Sequence, residues 1–103
     1  MSQMKADELK WLVRQWAARI GVKVGHIHVR DMKSKWASMS VSGRLTLDVD
    51  ILDLPETLRE YVIVHELVHL MVPNHGGVFK SFMGAYIPDW ERRQKELQGI
   101  TVH

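Results

Sequence analysis

Apolar positions recur along the first twenty residues at helical spacing. Leu9, Leu12, Val13, Trp16, Ala17 and Ile20 fall at i, i+3, i+4 intervals and form one stripe, which predicts a helix over about residues 5–20. Gly21 follows, where helices often end in a left-handed residue. The period then drops to two. Ile27 and Val29 alternate with His26 and His28. Ala37, Met39 and Val41 share one face of a segment at about 36–41, and Ser42-Gly43 suits a tight hairpin turn. From Arg44 to Ile51, Leu45, Leu47, Val49 and Ile51 point one way and Arg44, Thr46, Asp48 and Asp50 the other. Three short strands of a half-buried antiparallel sheet are expected.

A long helix is expected next, from Pro55 at its first position to about Val72, because Pro73 cannot continue it. Asn74, Gly76 and Gly77 then mark a sharp exit. Shorter helices follow at about 78–86 and 89–98, separated by Pro88 and ended by Gly99, with an extended tail to His103. The expected fold is α+β: a small antiparallel three-stranded sheet packed on an N-terminal backing helix and a long helix, then C-terminal helices and a tail. One domain spans residues 1–103.

The long helix carries the chemistry. Residues 61–72 are almost uncharged and apolar, yet they contain His65, Glu66 and His69, an HExxH pattern. His65 and His69 project from one helix face, so two ring nitrogens can grip one metal ion. Glu66 is turned about 100° from His65, beside the metal position and not on it. There it can take a proton from activated water and pass it to a leaving amine. Buried imidazoles and a buried carboxylate each cost free energy unless paired, and a divalent cation offsets that cost. His75 lies six positions after His69, beyond Pro73, and would fold back as third ligand. Glu91, in the last helix, is the rival third ligand. Asp50 and Asp89 are candidates to orient the outer ring nitrogens.

Composition narrows the alternatives. The chain has 103 residues, 46% apolar and 25% charged, with no cysteine. Disulfides, thiolate metal sites and cysteine nucleophiles are thereby excluded. The start has no signal-peptide core and no run is long enough to span a membrane, so a cytoplasmic location is expected. Net charge is +2. The basic groups at Arg30, Lys33 and Lys35, and at Arg92, Arg93 and Lys95, lack any accompanying nucleic-acid motif. They are taken as solvated surface, with no nucleic-acid partner expected. His26 and His28 are taken as surface histidines, and Met32, Met39, Met71 and Met83 as core filler. Ser38, Ser40 and Ser42 have no placed base and mark an exposed or edge face.

Several stretches carry a resemblance in chain order. They are Trp36 through Ser42-Gly43-Arg44-Leu45; Tyr61-Val-Ile-Val-His-Glu-Leu-Val-His-Leu; Asn74-His75-Gly76; Phe79; and Pro88-Asp89-Trp90-Glu91-Arg92-Arg93. Together they resemble the YgjP-like zinc metallopeptidases, relatives of the SprT and WLM groups, and among them the miniature, self-contained minigluzincins. The resemblance covers about two-thirds of the chain. It implies a minimal thermolysin-like scaffold, one Zn2+ per chain on His65, His69 and His75, and Glu66 as general base and acid. Gluzincins at large use a glutamate as third ligand, whereas minigluzincins use histidine, which favours His75 over Glu91. Larger relatives often carry a cysteine near Ser38 or Met39, which this chain lacks.

The expected function is a zinc-dependent endopeptidase acting on peptide or protein substrates through metal-activated water. Substrate would lie as an extended strand along an edge at residues 36–41. The resemblance also implies latency through a C-terminal segment, here residues 99–103. His103 would offer an imidazole and a free carboxylate to the metal. The alternative from another class is a non-catalytic module whose zinc only stabilises a binding or oligomerising domain.

Overall fold

The computed structural model describes residues 4–100. Helix α1 (Ala6–Ile20) begins where the Glu8 carboxylate accepts the Lys5 backbone N–H at 2.9 Å. It ends at Gly21, whose φ of 89° is a left-handed conformation that side-chain-bearing residues resist. The Gly21 N–H there donates to the Ala17 carbonyl. The predicted stripe is largely the buried face: Leu9, Val13, Trp16, Ala17 and Ile20 are buried and Leu12 half-buried.

Strands β1 (Ile27–Arg30), β2 (Ala37–Met39) and β3 (Leu45–Asp48) form one sheet in the order β1-β3-β2. The sheet is mixed. β2 pairs with β3 antiparallel through the Ser40–Arg44 hairpin, as alternation and turn chemistry predict. β1, however, pairs with β3 parallel, with His28 beside Thr46. The expectation of an antiparallel sheet is corrected at that pair. Two chain reversals restore the original direction, and β3 inserts between its predecessors. Side-chain alternation fixes which face is buried but is silent on which strands are neighbours.

Hydrogen bonds identify the free edge. The Asp48 N–H donates to Trp36 and the Ser40 N–H to Arg44, so residues 36, 38 and 40 face β3. The alternation of an antiparallel pair then turns the N–H and C=O of Ala37 and Met39 outward.

The third strand is shorter than its pattern. After Asp48 the chain enters a 3-10 turn, Val49–Asp53. Val49 is therefore exposed while Ile51 stays buried. Asp48, assigned by period to the polar face, is fully buried; its Oδ1 accepts the Met32 backbone N–H at 2.9 Å. A buried carboxylate that satisfies loop backbone is stable where an unpaired one is not.

Helix α2 (Glu56–His69) starts with Pro55 at its cap and is followed by α3 (Gly77–Tyr86) and α4 (Trp90–Gln98). Leu70, Met71 and Val72 continue α2 only as a loosened turn, with Met71 and Val72 both donating to the Val68 carbonyl. α2 packs against α1, α3, α4 and β2. Leu58, Ile63, Val64 and Leu67 join Leu9, Val13, Leu45, Leu47, Phe79 and Met83 in one core. Each such side chain contributes about 1.5–3 kcal/mol when fully buried. Trp16 meets Tyr86 edge-on at 6.5 Å, linking α1 to α3.

α4 is short, polar and without a buried residue, so packing alone does not hold it. Arg93 supplies the link. Its guanidinium donates to Glu60 at 2.7 Å and to the Thr57 carbonyl at 3.2 Å on α2, and contacts Asp89 at 3.0 Å on its own helix. Asp89 also accepts from Arg92. Burial alone would raise the Asp89 carboxyl, but the bonds from Arg93 and Arg92 outweigh it and hold it below the usual carboxylate range. The motif at residues 88–93 thus joins two helices. Among the described residues, no helix is long and apolar enough to cross a membrane. Of the proposed tail, Thr101, Val102 and His103 lie outside the described residues.

Candidate metal centre

His65 and His69 occupy the last two turns of α2, and His75 lies in the connection to α3. The chain reverses through Pro73 and Asn74 and brings His75 back over the helix end. One ring nitrogen from each histidine lies within 4.8 Å of the others. Ring centroids are 4.7 Å apart for His65–His69, 5.3 Å for His65–His75 and 4.5 Å for His69–His75. The Nε2 atoms of His69 and His75 approach to 2.9 Å. Two nitrogens on one tetrahedral ion, with bonds of about 2.1 Å, stand roughly 3.4 Å apart. The observed spread brackets that value. Three imidazole donors with no thiolate suit zinc and neighbouring transition ions, and disfavour calcium or magnesium. The residues present therefore fit the group.

Phe79 is the platform beneath the three rings. It is 2% exposed and stands 5.3, 4.8 and 4.7 Å from the rings of His65, His69 and His75. Its position in the first turn of α3 ties the third histidine to the other two. The sequence marked Phe79 only as part of a resemblance. Its role needed the fold, because contact with all three rings depends on how α3 docks against α2.

Two hydrogen bonds orient the rings. His65 Nδ1 lies 3.1 Å from Glu66 Oε2; donation from Nδ1 leaves Nε2 as the ligand atom. His69 is bonded to the backbone of Val72. Asp89, a sequence candidate for this orienting part, is instead taken up by Arg92 and Arg93. Asp50 sits in the 3-10 turn after β3. His69 is pushed below its ordinary pKa, chiefly by burial and then by His65, against an opposing pull from Glu66. A depressed value keeps the ring neutral, the form that binds metal.

Tyr61 stands one turn before His65, its ring 5.6 Å away and almost fully buried. Its hydroxyl is bonded by the Gln94 side chain of α4. Burial raises the phenol to about 12, partly offset by Gln94, so it stays protonated.

Open space flanks the triad on both sides. A cleft of about 360 Å3 is lined by Met39, Ser40, Val41, Glu66, His69 and Leu70, between the hairpin and the end of α2. A smaller one of about 190 Å3 is lined by His65, His75, Lys80, Trp90, Glu91 and Gln94. Glu66 thus opens toward the β2 hairpin. Glu91, the rival ligand, borders the second cleft but is outside the cluster of ligand atoms. His26, just before β1, and His28, within it, lie elsewhere and are exposed.

Comparison with known proteins agrees with this geometry. A family model described as YgjP-like, metallopeptidase domain, matches residues 2–99. The structure is similar to the metallopeptidase zymogen of Pyrococcus abyssi abylysin, with a TM-score of 0.78 and 23% identity over 88% of this chain and 92% of that one. It is also similar to the metallopeptidase zymogen of Methanocaldococcus jannaschii jannalysin, with a TM-score of 0.75 and 28% identity over 87% and 91%. A search of curated protein sequences finds no match.

Proposed function

The chain belongs to the YgjP-like metallopeptidase family, and on that footing we propose that it is a zinc-dependent endopeptidase with Glu66 as general base and acid. The observation that carries the reading is the meeting of three ring nitrogens within 4.8 Å, beside a carboxylate that opens into a cleft. A zinc ion held by His65, His69 and His75 supplies a Lewis acid for the scissile carbonyl and makes water acidic near neutral pH.

The chain's own residues do the rest. Glu66 accepts the proton of the attacking water and returns it to the leaving amine. His65 keeps that carboxylate in place through its Nδ1 contact. The outward N–H and C=O groups of Ala37 and Met39 bind an extended substrate as an added strand, setting its register beside Glu66. Met39, Val41 and Leu70 give the same cleft an apolar lining. Three ligands and open flanking space favour catalysis over a closed structural site.

The two similar structures are zymogens, and we extend latency to this chain through residues 99–103. Trp90, Glu91 and Gln94 border the centre from the start of α4, and the helix rises about 12 Å from Trp90 to Gln98. Gly99 and Ile100 continue the last turn of α4, donating to the Glu96 and Leu97 carbonyls and not running extended, so a segment that blocks the centre requires that turn to unwind.

The test is metal analysis beside peptide cleavage, with and without residues 99–103. One zinc per chain is expected, with cleavage that rises on truncation and vanishes in Glu66→Gln while zinc is retained. Full activity in Glu66→Gln overturns the mechanism. Unchanged activity on truncation overturns the latency.

A further inference from the structure

His26 and His28 lie outside the cluster of ligand atoms at the metal centre, and the function proposed above does not use them. Ile27, between them, is buried in the core, so the alternation of a strand commits both imidazoles to the outer face of the sheet. Backbone bonds hold the pair in place. The Gly25 N–H donates to the Gly43 carbonyl at 2.8 Å and the Leu45 N–H to the His26 carbonyl at 2.9 Å. His28 lies in register with Thr46 on β3.

The two rings run side by side. Their centroids are 6.0 Å apart and their planes are inclined by 34°. A nitrogen bonded at about 2.1 Å sets an ion about 3.3 Å from its ring centre, so one ion spans two centres up to about 6.6 Å apart. The pair falls inside that reach, although it is wider than the 5.3 Å between His65 and His75. Both residues are exposed. Side-chain rotation can therefore turn one nitrogen of each ring toward a shared point, and water can fill the other positions.

We propose that His26 and His28 form a second, open transition-metal site on the outer face of the sheet. The site does not depend on the peptidase reading. Its donors name the ligand. Two imidazoles suit late first-row divalent ions, and the neighbours in register, Arg44 and Thr46, add no carboxylate that would favour calcium or magnesium. Arg44, level with His26, opposes any cation, so the ion held is one that bonds nitrogen strongly. Copper(II) heads that order, ahead of nickel and zinc. With two protein ligands against three, the outer site is the weaker of the two and exchanges its ion with solvent more readily.

The test counts ions on the full chain. Zinc is loaded first, copper(II) is then added at rising concentration in equilibrium dialysis, and both metals are measured by elemental analysis. Two ions per chain are expected, a total that exchange of copper for zinc at the triad leaves unchanged. His26→Gln and His28→Gln each remove one ring from an exposed position. Either substitution should weaken the outer ion about tenfold or more, because a chelate broken at one end is lost as a whole. The inner ion should stay, which also reports that each variant is folded. A chain on which no ion depends on both histidines overturns the proposal. So does a second ion whose binding is merely halved by each substitution, the behaviour of two separate rings. A single ion per chain that is lost in both variants refutes the triad and leaves the outer pair standing.

Discussion

The Nε2 atoms of His69 and His75 face each other at 2.9 Å, although the two residues belong to different segments of the chain. Such a pair shares one proton between its two rings, or it holds a metal ion. Either way the contact pins the connection after α2 to the helix that precedes it. Loading with zinc at about a thousand times its dissociation constant adds about 4 kcal/mol to folding. For a domain of this size, that raises the midpoint of thermal unfolding by about 15 °C or more. Chelation followed by a thermal melt checks it.

Acid should act on the same contact. The folded pKa of His69 is lowered, first by burial and then by His65. The unfolded chain therefore binds more protons between the folded value and about 6.5. The stability tied to neutral His69 is present above about pH 6.5 and lost as pH falls through the lower folded value. Melts of the metal-free protein should show this slope, and His69→Gln should flatten it. Metal affinity falls in the same direction, because a protonated ring is no ligand.

His75→Ala and Glu91→Ala separate the two candidates for third ligand. The first should weaken zinc binding about a hundredfold or more and abolish cleavage. The second should retain one zinc per chain. Competition against a chromogenic chelator gives both affinities.

Arg93 is 14% exposed and holds α4 to α2 through Glu60 and Thr57. Arg93→Met should cost about 2 kcal/mol, the loss of charge-assisted hydrogen bonds. Gln94 would then hold Tyr61 less well, and the cleft beside His65 would loosen. Chemical denaturation measures the first effect and KM the second.

Met39→Pro tests the edge. The substitution removes an N–H that points away from β3 and leaves the ladder bonds of Ser38 and Ser40 in place. Zinc content should be unchanged while KM for peptides rises about tenfold, the worth of one lost backbone hydrogen bond. An unaltered KM would remove β2 as the substrate-binding strand.

Much of this architecture was legible from spacing. The α1 stripe, the stop before Pro73 and the hairpin at Ser42-Gly43 follow from local chemistry that neighbours do not override. The pairing of β1 with β3 was not legible, because strand order depends on long-range closure. Asp48 misled for a related reason. Its place in the alternation is polar, but the 31–36 connection folds over it and supplies a donor from Met32. At the centre, i and i+4 spacing sufficed to bring His65 and His69 together. The supporting parts, Phe79, Tyr61 with Gln94 and the Val72 backbone, come from docked helices or a loosened helix end. No local pattern announces them.

The third histidine comes from the connection and not from α2. A captured ion therefore closes a short loop and anchors the start of α3. Copies that fail to acquire one would leave residues 70–77 open to other proteases. The cellular lifetime of this chain would then follow the supply of transition metal, with undersupplied copies cleared first.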